Sequence, residues 1–386
     1  MIIMAVYSMS AKVSRNASLF SVPRMPLRRI GTVYKYIAVM ALLLASTGIV
    51  VLLCGKRNIT LDDLTAERSA SSRRSVGKTT RQTDLHIEGP VVNPHPFRYL
   101  LNPETFCHKK DIFIITYVHS APDHFEKRDA IRQTWGKMKY YLNKRVEVVF
   151  IMGQVANAGV MTSVRNESVI HGDVVQEDFV DSYHNLTYKA IAGLKWVSTF
   201  CRQAVYVLKT NDDIFVNFYV FMRYIQSTVK VRYGRTGLIL CNVWLNDAVE
   251  RNKLSELYLS KKDFPQNFFP PFCSGTAFLM SRDITDGLYM MSYRTPFFWM
   301  DEQYITGVLI EKLNITHKPY NIAYSLHPSD FRKHVTSHKY YNYAFFLVDK
   351  RDTMYYLWNT VVAREIKAVH TNITNVNQNI NVKLRI

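Results

Sequence analysis

The most conspicuous pattern along the chain is an uncharged apolar run, YIAVMALLLASTGIVVLLCG, from Tyr36 to Gly55, bracketed by Lys35 and Lys56. At about 1.5 Å per residue such a run makes roughly 30 Å of helix, the thickness of a bilayer core. It has no polar stripe of the kind a surface helix carries, and it is longer than the apolar region of a cleaved signal peptide. The pattern predicts one retained transmembrane anchor, 36–55, behind a short tail, 1–35. Residues 56–110 are polar, with SASSRRSVGKTTRQT at the centre and Pro90, Pro94, Pro96 and Pro103 further on. They read as a flexible stem.

From Asp111 the pattern changes. Apolar runs at 112–118, 146–153, 204–209 and 236–244 predict strands; FEKRDAIRQTW and residues 182–200 predict helices. Strands alternating with helices imply an α/β domain, 111–386, with a mostly parallel sheet. In such sheets ligands bind beyond the carboxyl ends of the strands. The residues just after each apolar run are therefore the ones that matter.

Composition and charge refine this picture. Hydrophobic residues make up 48% of the 386 and charged residues 21%, which is globular rather than disordered. A net charge of +18 suggests a nucleic-acid partner until it is mapped. Residues 1–35 carry six bases and no acid, and 56–110 carry ten bases and six acids, leaving 18 − 6 − 4 = +8 on 111–386. Most of the excess lies outside the folded part, and nucleic-acid binding is excluded. The all-basic tail belongs in the cytosol by the positive-inside rule. The C-terminal bulk then lies in the secretory lumen, in type II orientation.

The cysteines and sequons agree with a lumenal domain. Cys54 lies in the anchor; Cys107, Cys201, Cys241 and Cys273 allow two disulfides in three connectivities, which sequence leaves open. Their spacing fits no zinc motif. Sequons at Asn166, Asn185, Asn314 and Asn372 are expected to carry glycans. Asn16 would be cytosolic, and Asn58 sits close to the membrane.

The segment AVYVLKTNDDIFVN (204–217) carries the chemistry. Asn211, Asp212 and Asp213 follow a buried strand and precede another apolar pair, Phe215 and Val216. Side chains of this kind make turns, but they are also oxygen ligands for Mg²⁺ or Mn²⁺. Arg128 and Arg132, four apart on one helix face beside the end of the first strand, suit a diphosphate. Trp135 reads as core. The helix from Asp181 reads as capped by Asp181 or Ser182, with Tyr183, Leu186 and Ala190 as a buried stripe. Ser274–Gly275, after two prolines and Cys273, reads as a tight bend that shapes the site.

The acidic segment resembles the DxD region of GT-A-fold inverting β-1,3-glycosyltransferases, the β-1,3-galactosyltransferases among them. RDAIRQTWG (128–136), FIMG (150–153), EDFVDSYHNLTYKAIAGLKW (177–196), PPFCSGTAFLMS (270–281) and DEQYITGVLIEKL (301–313) are similar to further segments of that family, in the same order over roughly 110–315. The resemblance implies a GT-A-like, Rossmann-type nucleotide-sugar domain in the Golgi lumen. It further implies that Arg128, Arg132, Asn211 and Asp212 border the nucleotide sugar. Asp213 and a C-terminal histidine would hold a divalent metal such as Mn²⁺; His338 matches best, with His327 and His334 as alternatives. The second of two helix acids, Glu302, would be the base, ahead of Asp301. PPFCSGTAFLMS would be an acceptor-side loop. Two positions depart from the family: Asn211 stands where it has an acid, and Glu302 where it usually has Asp. The implied activity is transfer of galactose from UDP-galactose to a sugar 3-hydroxyl of a glycoprotein or glycolipid, with inversion. Transfer of N-acetylglucosamine or N-acetylgalactosamine, or a non-catalytic lumenal protein retaining the fold, are the alternatives.

Overall fold

The computed structural model describes residues 89–336 and 343–383. The predicted tail and anchor, most of the stem, and His338 lie outside the described residues. No helix among the described residues is long and apolar enough to cross a membrane.

Among the described residues twelve strands form: β1 (Tyr99–Leu101), β2 (Ile112–His119), β3 (Tyr140–Tyr141), β4 (Lys144–Gln154), β5 (Val174–Val180), β6 (Tyr206–Asn211), β7 (Ile214–Val216), β8 (Ile239–Trp244), β9 (Phe272–Ser281), β10 (Lys318–Pro319), β11 (Tyr324–Ser325) and β12 (Phe345–Leu347). The main sheet runs β1-β5-β4-β2-β6-β9-β8-β10, with β3 on β4; a small second sheet runs β11-β12-β7. Strands β5, β4, β2 and β6 are mutually parallel, whereas β9 is antiparallel to both β6 and β8. The sheet is mixed: the strands predicted at 112–118, 146–153 and 204–209 lie in its parallel half, whereas the one predicted at 236–244 is β8, antiparallel to β9.

Alternation along the strands feeds two cores. Ile114 and Val118 of β2, with Val148 and Phe150 of β4, join the core that holds Trp135, Phe221 and Leu357. Ile115 and Tyr117, with Val149 and Ile151, join the core that holds Trp196, Leu288 and Tyr304. Both faces are covered, so central strands read as near-continuous apolar runs.

Four sequence expectations change here. The stem gives up its last part, because β1 pairs with β5 and Cys107 is bonded to Cys201. The other disulfide is Cys241–Cys273. The segment read as an acceptor-side loop is the central strand β9, and Ser274–Gly275 lies inside it rather than in a bend. Asp181 caps no helix: it accepts from the Gly153 N–H at 2.8 Å and from Lys189 at 2.8 Å. The helix at 182–200 starts as a 3-10 turn, Tyr183–Asn185, before Leu186–Phe200, and Tyr183 is 54% exposed rather than part of a buried stripe.

Candidate active site

Strands β4, β2 and β6 end side by side, with His119 in register with Ile151 and Asn211. The Asp212–Asp213 turn follows at once and leads into β7. Trp135, buried as expected, donates from Nε1 to the Ile214 carbonyl at 3.1 Å. The Val348 N–H donates to the Asp213 carbonyl at 2.8 Å. The turn is thus fixed at both ends.

Asp212 is engaged within the protein. Its Oδ2 accepts from Ser120 Oγ at 2.8 Å and His124 Nδ1 at 2.7 Å, and its Oδ1 from Lys127 Nζ at 3.3 Å. Burial opposes its charge, but His124, Lys127 and Ser120 overcome this and hold the carboxyl below its usual range. Asp213 is the reverse case. Burial and the neighbouring Asp212 push its pKa up, and its Oδ1 is buried without a hydrogen-bond partner. A buried carboxylate oxygen without a donor is a ready ligand for a hard cation. The donor set fits such an ion at one carboxylate; no group of three or more His, Cys, Asp or Glu able to hold a metal occurs among the described residues. His334 Nδ1 is hydrogen-bonded to Ser325 Oγ at 2.7 Å, with its ring stacked on Tyr343.

Asn211 accepts from Lys209 Nζ at 2.9 Å. Lys209 is buried, donates also to the Gly275 carbonyl at 2.7 Å, and lies 3.7 Å from Asp301 Oδ2. A third acid at position 211 would compete with Asp301 for this one ammonium. Neutral Asn211 leaves that charge to Asp301, which gives the departure from the family pattern a physical reason.

The two helix acids differ in surroundings. Asp301 is buried, facing Lys209, with His119 Nδ1 at 3.8 Å. Burial, Lys209 and Lys189 push the His119 pKa well down, so the ring is neutral. Glu302 lies over β9: a Cβ placed on Gly275 would stand 2.2 Å from Glu302 Oε1. Burial and the adjacent Asp301 raise the Glu302 pKa to about 7, against Lys209 and the Gly275 N–H, which favour its charge. A carboxyl poised near neutrality is suited to general-base work. The helix around it is wound as a π segment, Gln303–Val308, a local unwinding common at functional sites.

The two arginines do not lie open to a ligand in the same way. Arg128 is fully buried, and its five N–H donors are spent on Glu167, Ser120 Oγ and the Ala121 and Pro122 carbonyls. It has none left for a diphosphate. Through Ser120 it instead steadies Asp212. Arg132 is paired with Glu167 at 2.6 Å and Asp173 at 2.7 Å. The basic side chains on Asp212 that reach solvent are Lys127, 43% exposed, and His124, 38% exposed. Sequence reading passed over Lys127, His124, Ser120 and Lys209; a lysine inside the apolar run AVYVLK was the one available signal.

Of the sequons, Asn166 and Asn314 are exposed. Asn185 spends its amide on the Val180 carbonyl at 2.8 Å, and its Thr187 is buried on the Phe298 carbonyl at 2.9 Å. The side chain of Asn372 lies outside the described residues.

Paired acids at the carboxyl end of a covered α/β sheet suit a group-transfer enzyme acting on a nucleotide-activated substrate. Comparison with known proteins makes the class specific. Residues 126–321 match the model of the galactosyltransferase family. The chain is 32% identical over 288 residues to beta-1,3-galactosyltransferase 1 of Mus musculus and of Homo sapiens, covering 72% of this chain and 83% of the relative. It is 34% identical over 217 residues to beta-1,3-galactosyltransferase 5 of Homo sapiens, covering 56% of this chain and 68% of the relative. The chain belongs to the galactosyltransferase family and is a glycosyltransferase, with a nucleotide-sugar donor and a glycan acceptor.

Proposed function

We propose that this enzyme is a Golgi type II membrane protein that transfers galactose from UDP-galactose to the 3-hydroxyl of an acceptor sugar on a glycoprotein or glycolipid, with inversion, forming a β-1,3 linkage. The observation that carries the reading is Glu302: a carboxylate with a pKa of about 7, held over Gly275 at the strand ends that also carry the Asp212–Asp213 turn. In a single displacement the acceptor oxygen attacks the anomeric carbon, its proton passes to Glu302, and the bond from that carbon to the diphosphate breaks. Burial first, and then Asp301 as its negative neighbour, keep Glu302 basic near neutrality, with Asp301 held by Lys209. Asp213 would hold a divalent cation, Mn²⁺ by preference, which when bound offsets charge on the departing diphosphate. Lys127 adds positive charge on the exposed side of Asp212, while Arg128 and Arg132 hold the scaffold beneath.

The test is a panel of UDP-sugars given to the full-length protein in detergent with Mn²⁺ and β-galactoside and N-acetyl-β-glucosaminide acceptors, reading released UDP. Turnover confined to UDP-galactose is the expected result. Preference for UDP-N-acetylglucosamine or UDP-N-acetylgalactosamine would replace the donor and leave the mechanism standing.

A further inference from the structure

Beside the two acids is an aromatic cluster that the mechanism leaves unused. Tyr183 and Trp299 lie 5.3 Å apart between ring centroids, His184 and Trp299 4.8 Å, and Tyr183 and His184 5.9 Å. Tyr183 is 54% exposed, His184 is exposed and Trp299 half-buried. Trp299 is seated on the core, while the two rings packed against it stay exposed, so the cluster leaves aromatic faces turned toward solvent. Their positions are nevertheless built. Asn185 is tied to the Val180 carbonyl, and Thr187 Oγ1 to the carbonyl of Phe298, the residue before Trp299. The first ties the Tyr183–Asn185 turn to the end of β5, and the second ties the helix that follows it to the approach of the catalytic helix.

Trp299 precedes Glu302 by three positions. Tyr183 senses the same acids: after burial, Glu302, Asp301 and Glu256 are the charges that raise its pKa. Aromatic faces beside carboxylates match a neutral polyol, whose C–H face stacks on rings while its hydroxyls donate to acids. The cluster also stands apart from the metal-binding turn. Trp299 packs on the core under one face of the sheet, whereas Ile214–Val216, which continue the Asp212–Asp213 turn, pack in the other core.

We propose that Tyr183, His184 and Trp299 form a platform for the C–H face of the acceptor pyranoside, orienting its attacking hydroxyl toward Glu302. The proposal rests on the reading of Glu302 as the base. The test measures KM for acceptor and for UDP-galactose in full-length wild type, Tyr183→Ala, Tyr183→Phe and Trp299→Ala, with methyl β-D-galactopyranoside and methyl N-acetyl-β-D-glucosaminide as probes. Tyr183→Ala is expected to raise acceptor KM about tenfold, the equivalent of about 1.4 kcal/mol, with donor KM held within about twofold, while Tyr183→Phe keeps the wild-type value. A rise in donor KM instead, or no rise in either, overturns the proposal. Trp299→Ala is scored only where its thermal melt matches wild type; Tyr183, being exposed, keeps the test decisive without it. If wild type turns over no UDP-sugar, the galactosyltransfer reading fails on its own. Saturation-transfer NMR of the same two glycosides then decides the platform: signal lost in Tyr183→Ala supports it, and an unchanged spectrum refutes it.

Discussion

Gly275→Ala probes the base without touching it. The new methyl carbon would lie 2.2 Å from Glu302 Oε1, 2.5 Å from its carboxyl carbon and 2.7 Å from Cγ. Ordinary contact begins at 3.4 Å, so the carboxylate has to retreat by about 3.4 − 2.2 = 1.2 Å. Gly275 sits in β9 without a positive φ, so alanine brings no backbone strain of its own. A misplacement of about 1 Å at a catalytic group costs on the order of 10²-fold in rate. The expected result is a fall of about that size in kcat, read as UDP release, with a thermal melt close to wild type. A second change sharpens the test. Glu302→Asp withdraws the carboxylate by about 1.5 Å, one bond length. It should slow the wild-type enzyme and leave Gly275→Ala unrescued, because the shorter acid puts its carboxyl carbon where Cγ stood, still 2.7 Å from the new methyl. Wild-type kcat in folded Gly275→Ala would refute the claim that the Glu302 carboxylate must rest on Gly275 to work.

Other consequences are open to measurement. Because the charged form of Glu302 is the base, kcat/KM should climb with pH up to about 7 and level off above it. Glu302→Gln should erase that limb and lower kcat by about 10²–10⁴-fold. The folded state holds the Glu302 proton more tightly than the unfolded chain, whose reference value is 4.5. Its contribution to stability is therefore full below that value and lost as pH rises through about 7, a loss that Glu302→Gln should remove from urea melts. Asp213→Ala should abolish the Mn²⁺ enhancement of UDP binding seen by calorimetry; retention of the enhancement would move the metal elsewhere. Arg128→Ala should cost about 3–5 kcal/mol in urea unfolding, because it breaks a buried pair. A selective rise in donor KM without that loss would return Arg128 to the diphosphate.

Strands β2, β4 and β6 were legible because both faces are covered, so their sequences stay mostly apolar, with Glu147 of β4 and Lys209 of β6 as buried charged exceptions. β5 was not, since Gln176 and Glu177 sit within it and are satisfied by the Gly153 carbonyl and Lys195, partners that no local window contains. β9 was read as a loop because its small residues, SGTA, lack strand character; Gly275 is there because Glu302, 27 positions away, occupies the space a side chain would need. The same distance problem hid Arg128. Its spacing from Arg132 is that of a ligand-facing pair, and its partner Glu167 is 39 residues further on. The acidic turn and the helix acids were legible as types. Which acid faces inward was set by Lys209, a single lysine reaching across from β6.

The most direct test of galactosyl transfer with inversion at a 3-hydroxyl is the NMR spectrum of the product that full-length enzyme makes from UDP-galactose. A large axial–axial anomeric coupling, with the glycosylation shift at the acceptor C3, is the expected result. An α-linked galactose, which retains the configuration of the donor, would contradict it outright, because single displacement driven by Glu302 allows only the β product.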